Sequence, residues 1–264
     1  MYEFTYERPK SVPAALKALQ KSKEAKYLAG GMSLIPTLKL RLAEVSELVD
    51  LSDIKQLKGI KKQRSAIVIG AMTTHAEVAS SKDVAKAIPA LAALAEGIGD
   101  PQVRNRGTIG GSLAHADPAA DYPAGVVGLG ATIHTNKRKI AADKFFKDMF
   151  ETALAKNEII TAVTFPIPKR AGYAKFPNPA SRYAIVGVMV SQGKDGVRVA
   201  VTGAGPSVFR VKAMEKALAK KFSPEAVDGI SVPADDLNDD LHASAEYRAH
   251  LVTVMAKRAV AAIS

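Results

Sequence analysis

Two glycine pairs, each set beside an extended or helical stretch, constrain this chain more than any other feature. The first lies in Ala29-Gly30-Gly31-Met32-Ser33, between a strand expected at 26–29 and a helix expected at 34–42. The second lies in Thr108-Ile109-Gly110-Gly111-Ser112. Glycine lets a backbone approach a ligand closely. Successive backbone N–H groups in such a turn form an anion-binding nest, to which a helix N-terminus adds a favourable dipole and Ser33 a hydroxyl. Each pair alone also fits a structural reading: a tight strand-to-helix turn for the first, a β-bulge or close strand crossing for the second. Together, two such loops can clamp the two phosphates of a dinucleotide. Neither matches GxGxxG, so a Rossmann nicotinamide site is not supported, and neither matches the GxxxxGK[ST] P-loop.

The pattern around these loops divides the 264 residues into three. Residues 12–23 read as a helix. Val12, Ala15, Leu16 and Leu19 recur at helical spacing, Ser11 is placed to cap, and Pro13 sits in the first turn. With a strand at 47–51, residues 1–53 form a small β-α-β-type unit. Residues 54–168 begin with a basic connector and a strand at 66–70, continue through helical patterns at 74–80 and 84–97, and hold strands at 131–135 and 158–165. Pro166 and Pro168 then break the chain. In residues 169–264, a β-branched run at 183–192, the turn Gly193-Lys194-Asp195-Gly196 and the alternating Val197, Val199 and Val201 read as an antiparallel hairpin. Helices are expected at 211–221 and 244–263, giving a meander with helices on one face. The fold class is α+β.

Composition excludes several chemistries. The chain has no cysteine, so disulfides, thiolate nucleophiles and cysteine-held zinc or iron–sulfur clusters are out. Its five histidines form neither HxH nor HExxH, so no metal site is expected. No run approaches the roughly 18 apolar residues of a membrane span. The start, Met1-Tyr2-Glu3-Phe4, has no signal-peptide pattern, so the expected location is cytoplasmic. The net charge of +11 includes basic clusters at 55–64 and 137–147. Phosphate binding would use such residues. With 6% aromatics, no tryptophan and no recognisable nucleic-acid motif, a solvated basic face or a surface for an acidic partner or anionic ligand is the better reading. Asp117 and Asp121 lie four residues apart, which suits an acid/base pair or metal ligands. Asp121 also suits a ribose hydroxyl, and residue chemistry favours a cap on the helix that follows.

Longer blocks carry a family resemblance. Ala29-Gly30-Gly31-Met32-Ser33-Leu34-Ile35-Pro36, with Lys39-Leu40-Arg41, resembles the first FAD loop of the medium subunits of the carbon monoxide dehydrogenase type, within the molybdenum hydroxylase family. The run from Asp100-Pro101-Gln102 through Arg106-Gly107-Thr108-Ile109-Gly110-Gly111-Ser112 to Asp117-Pro118-Ala119-Ala120-Asp121 resembles the second FAD loop. Asn178-Pro179-Ala180-Ser181-Arg182-Tyr183-Ala184 is similar to the signature of the family's C-terminal domain. Nearly the whole chain is covered, in order.

The resemblance implies a PCMH-type fold: FAD-binding subdomains at 1–53 and 54–168, then a C-terminal domain of antiparallel sheet with helices at 169–264. Ala29 to Ser33, with Leu34, would hold the pyrophosphate, and Thr108, Ile109, Gly110, Gly111 and Ser112 would hold it from the other side. Ile98, Asp121, Ile160 and Lys175 match further FAD contacts of the related xanthine dehydrogenase flavin domain. Asp121 would serve the adenosine ribose or its surroundings, Lys175 the isoalloxazine end, and Tyr183 the ring environment. Met32 departs from the pattern, because the first loop commonly carries Gln, His or Asn there. No residue acting directly on substrate is expected. The implied function is an FAD electron-transfer subunit, taking electrons from the [2Fe–2S] clusters of a small subunit and passing them to an external acceptor. A large subunit would hold molybdopterin, the assembly would be a dimer of heterotrimers, and loose association with the inner face of a membrane fits the same picture. Rival readings are an assembly subunit without FAD, a polyanion or nucleic-acid binder, and a stand-alone flavin oxidoreductase of the UDP-N-acetylenolpyruvoylglucosamine reductase type.

Overall fold

Three sheets organise the chain, and each arises from a different residue pattern. A computed structural model describes residues 1–263. The first sheet comprises β1 (Thr5–Glu7), β2 (Ala25–Leu28) and β3 (Glu47–Asp50), all parallel and ordered β1-β3-β2. Two helices connect them, α1 (Val12–Leu19) and α2 (Leu34–Lys39). α1 starts as expected, with the Ala14 N–H donating to Ser11 Oγ and Pro13 in the first turn. It stops at Leu19, where the Lys21 N–H turns back to the Ala18 carbonyl. α2 is also shorter than expected, because Arg41 adopts φ 58, which no right-handed helix accommodates.

The second region holds β4 (Ile60–Lys62), β5 (Ala66–Gly70), α3 (His75–Ser80), α4 (Lys82–Ala87), α5 (Pro89–Glu96), α6 (Pro101–Arg106), α7 (Ile109–His115), α8 (Asp121–Gly128), β6 (Thr132–Thr135), β7 (Lys139–Ala141), β8 (Phe146–Asp148), β9 (Glu151–Thr152) and β10 (Ile160–Pro166). Five of the strands form an antiparallel sheet ordered β4-β5-β10-β6-β7, and β8 and β9 pair as a small hairpin. The helix expected at 84–97 is two helices. Pro89 keeps Ile88 out of the helical region, at φ −143 and ψ 71. The second glycine segment is neither a bulge nor a crossing: Thr108 caps α7 and the glycines form its first turn. The two basic clusters lie at opposite edges of the sheet, with Lys61 and Lys62 exposed on β4 and Lys139 on β7. Charged edges block pairing with other chains, and this arrangement offers no single basic stripe.

The third sheet contains β11 (Arg170–Pro177), β12 (Ala184–Gly193), β13 (Gly196–Thr202) and β14 (Phe209–Arg210), antiparallel in sequence order. The expected hairpin is β12–β13, with Gly193 opposite Gly196. α9 (Lys212–Lys220) and α10 (Ala245–Ala261) cover one face. On that face Val186, Val188 and Val190 pack with Leu251, Val252 and Met255. On the other, Met189 and Ala200 join the core of the second region. Strand period two sorts β11 in the same way: Ala174 and Phe176 pack beside α10, whereas Tyr173 and Lys175 reach towards α8. β12 is therefore buried on both faces, and the expected one-sided covering is incomplete. β11 itself was not expected from the sequence.

Candidate FAD site

The carboxyl end of β2 runs into the first glycine segment, the crevice position where open α/β sheets bind ligands. Gly31 has φ +77, a conformation costly for other residues. A side chain on Gly30 would run into the Arg106 carbonyl and Gly107, so the first loop lies directly against the approach to α7. From the far side, a Cβ on Gly111 would stand 3.2 Å from Ala29 Cβ. The two glycine segments, some eighty residues apart in sequence, thus form one junction.

The two sides carry different hydrogen-bonding capacity. Among the described residues, the N–H groups of Gly30, Gly31, Met32, Ser33 and Leu34 donate no hydrogen bond, and Ser33 makes no side-chain cap on α2. Those five donors form an open nest. In the second segment four of the five backbone donors are committed, and among the described residues only the Thr108 N–H donates no hydrogen bond. The Ile109 N–H donates to Thr73 O (3.1 Å), Gly110 to Ala71 O (2.8 Å), Gly111 to Thr108 Oγ1 (3.1 Å) and Ser112 to Thr108 O (3.0 Å).

A cleft of about 660 Å³ opens along this junction. That volume is in the range of small-molecule and cofactor sites. Ala29 to Leu34, Ile98, Thr108, Gly110, Gly111, Ser112, Asp121 and Ile160 line it, so most of the residues expected at the cofactor converge. Met32 lies on its wall and is 39% exposed. Two expected residues do not line it. Ile109 is fully buried in the core beneath, because its side chain leaves α7 on the face opposite the cleft. Lys175 lies behind the wall, its ammonium 2.9 Å from Asp121 Oδ1.

That ion pair corrects two expectations. Asp121 is the first helical residue of α8, not its cap: Ala120 holds the cap position, and the carboxylate accepts from Tyr173 Oη (2.6 Å) and Lys175. Asp121 and Lys175 also cannot serve opposite ends of one extended cofactor, since they touch. Nor is Lys175 a solvated surface residue, with its side chain 9% exposed. Burial pushes the Asp121 carboxyl up, opposed by Lys175 and the Tyr173 hydroxyl.

Other groups at the cleft were not singled out from sequence. His75 is buried with Nδ1 unpartnered and its ring 5.3 Å from that of Tyr122. Burial, then Arg104, lowers its pKa to about 4, so the imidazole is neutral. Tyr27, the penultimate residue of β2, has a buried, unpartnered hydroxyl, and burial raises its pKa to about 12. Its position near the carboxyl end of a parallel strand is the signal that could have found it. Lys26, Lys156 and Arg182 line the cleft and make no ion pair with another described residue, which favours an anionic occupant. Glu158, by contrast, is held at a pKa of about 2, chiefly by Arg138. Asp117 and Asp121 do not form a metal site, and no cluster able to hold a metal ion occurs among the described residues.

Free N–H donors, a glycine cradle and unpaired cations suit a diphosphate-bearing cofactor. The family comparison identifies which one. Residues 2–168 match the model described as "FAD binding domain in molybdopterin dehydrogenase", and residues 171–263 match "CO dehydrogenase flavoprotein C-terminal domain". The chain belongs to the FAD-binding medium subunits of the molybdenum hydroxylases. It is 37% identical to the carbon monoxide dehydrogenase medium chain of Hydrogenophaga pseudoflava, over 97% of this chain and 96% of that one. It is 36% identical to the nicotine 6-hydroxylase medium subunit of Paenarthrobacter nicotinovorans, over 97% and 95%. Among solved structures, the H. pseudoflava carbon monoxide dehydrogenase lacking the Mo-pyranopterin moiety superposes with TM-score 0.89 at 36% identity, covering 99% of this chain and 97% of that one. Quinoline 2-oxidoreductase from Pseudomonas putida 86 gives 0.87 at 28% identity, covering 98% and 96%. Membership makes this an FAD-binding oxidoreductase subunit of mixed helix and sheet, and no described helix is long and apolar enough to cross a membrane.

Proposed function

We propose that this chain carries FAD between two partner subunits and an external acceptor. A small subunit with [2Fe–2S] clusters would supply electrons from a large molybdopterin subunit, in a cytoplasmic dimer of heterotrimers, with loose association at the inner face of a membrane compatible with it. When bound, FAD supplies the redox chemistry, and the protein supplies placement and electrostatics. The observation that carries this reading is the open nest of N–H groups from Gly30 to Leu34 along a cleft lined by cations that make no ion pair with another described residue.

In this reading the nest takes the pyrophosphate, with the Ser33 and Ser112 hydroxyls beside it. Thr108 contributes by building α7. Ile98, Ile160 and Tyr27 give the walls for the aromatic ends, and Asp121 shapes the wall through its bonds to Tyr173 and Lys175. Tyr183, 43% exposed at the rim, stands where a flavin ring would remain accessible to partners. Relatives of nearly equal identity are named for carbon monoxide and nicotine, so substrate choice belongs to another subunit. Met32 does not by itself favour an FAD-free assembly subunit, because the nest is made of backbone.

An absorption spectrum tests this. The chain, alone and assembled with its partners, is mixed with FAD and freed of excess. Visible flavin bands that vanish in Gly111→Asp, with the far-ultraviolet circular dichroism unchanged, are expected. A colourless product in both states would overturn the reading.

A further inference from the structure

We propose that Lys175 is a positioning residue that fixes the 178–183 turn, and with it Tyr183, against the cleft. The inference rests on the reading of that cleft as the flavin site. Lysine has three donors and no acceptor. Here the ammonium meets three oxygens: Gly97 O at 2.7 Å, Arg182 O at 2.9 Å and Asp121 Oδ1 at 2.9 Å. Its donors are therefore committed, which leaves none for the cofactor. The three acceptors come from three separate places: the end of α5, the 178–183 turn and the start of α8. One side chain on β11 ties them together.

The turn needs such a tie. Arg182 has φ +62, a conformation that costs a non-glycine residue energy and persists only where the surroundings hold it. Within the turn, Asn178 Oδ1 accepts from the Ala180 and Ser181 N–H groups, and the Asn178 N–H donates to Tyr183 O. Those bonds shape the turn but do not attach it to the second region. The Arg182 guanidinium, 3.4 Å from Gly99 O, adds a long contact. The short attachments are the Lys175 bond to Arg182 O and the Ala184 N–H to Ala119 O (3.1 Å), which flank Tyr183. Asp121 is in turn fixed by Tyr173, for which Gly187 leaves room: a Cβ there would stand 2.5 Å from the Tyr173 hydroxyl oxygen.

Removing Lys175 alone would strand a buried carboxylate, so the test variant is Lys175→Met with Asp121→Asn, which removes both charges. The first readout needs no cofactor. Trypsin cleavage after Arg182 in the full chain is expected to accelerate at least about fivefold, while cleavage after the exposed Arg64 stays at the wild-type rate. Equal rates at Arg182, or equal acceleration at both sites, would overturn the tie. The second readout is iodide quenching of flavin fluorescence at saturating FAD in the assembled protein. Quenching is expected to rise about threefold in the double variant, to rise similarly in Tyr183→Ala, and to rise no further when the two are combined. Additive effects would show that Lys175 does not act through Tyr183. A wild-type protein that takes up no FAD would sink the flavin reading, and the trypsin comparison would still decide the tie.

Discussion

The two glycine segments look alike as text and behave differently as structure. Both place Gly-Gly beside hydroxyl residues at the start of a short helix, the first pair ahead of α2 and the second within the first turn of α7. α2 begins without a side-chain cap, and five consecutive N–H groups donate to no described residue. α7 begins with Thr108 bonding the Gly111 N–H, while Ala71 and Thr73 take the donors of Gly110 and Ile109. Buried donors are normally satisfied, so an open set at a cleft reserves capacity for a ligand, and a closed set builds a wall. The first segment is proposed to grip the phosphates and the second to define how near they can lie.

The largest expected effect comes from treating the wall as if it were a grip. A Cβ on Gly110 would stand 2.6 Å from Ala71 Cβ and 2.7 Å from Ala71 O. Gly110→Ala is expected to lower the melting temperature of the ligand-free chain by about 5–10 °C, from an overpacking cost of about 1–3 kcal/mol. An unchanged melt with lost FAD binding would reverse the assignment. Acid should reach the same wall next. The His75 backbone N–H donates to Gly107 O (2.9 Å), and the imidazole ring fills the space where a Gly107 side chain would be. Its pKa is about 4 in the fold against 6.5 unperturbed, so the unfolded chain binds more protons between those values. Stability is therefore lost as pH falls from 6.5 towards 4, by up to about 3 kcal/mol from this group. Chemical denaturation across that window should show the slope in wild type and a flatter one in His75→Leu. Identical slopes would remove His75 from the wall.

A smaller effect is expected at the grip. Gly31→Ala forces a left-handed alanine, at about 1 kcal/mol, and sets its Cβ 2.9 Å from Ile35 Cγ1. FAD affinity should fall about tenfold, equivalent to about 1.4 kcal/mol, because the nest distorts. The melting temperature should fall less than in Gly110→Ala. A titration showing wild-type affinity would mean that the free donors of this segment do not hold the cofactor.

What the sequence disclosed follows from how local each feature is. α1, the first glycine turn and the β12–β13 hairpin are legible because cap, proline, glycine and alternation act over a few residues. β11 is not, since Arg170–Pro177 mixes small, charged and aromatic residues and becomes a strand only by pairing with β12. Convergence of the two glycine segments was available through family resemblance, and most of the residues it named do line the cleft. Their donor accounting was not, because the acceptors Ala71 and Thr73 lie more than thirty residues upstream and no local rule assigns them. The same holds for Lys175 and Asp121. Each was named separately for an end of the cofactor, and only the fold shows that they spend their charges on each other.

The finest test of the comparison uses the two hydroxyls of the second segment. Ser112 Oγ makes no hydrogen bond to another described residue and Ser112 lines the cleft, so this hydroxyl is a part of the wall still free to touch a ligand. Thr108 Oγ1 is committed to the Gly111 N–H. Ser112→Ala should cost FAD about threefold in affinity, near the lower end of about 0.5–1.5 kcal/mol for one hydrogen bond, and leave the melt unchanged. Thr108→Val should do the opposite. Loss of the cap, about 1 kcal/mol, lowers the melting temperature by about 2–4 °C. Meanwhile the freed Gly111 N–H becomes available to the ligand, so affinity should fall by less than in Ser112→Ala. If Thr108→Val weakens FAD more than Ser112→Ala does, the second segment grips as the first does, and the distinction between grip and wall is wrong.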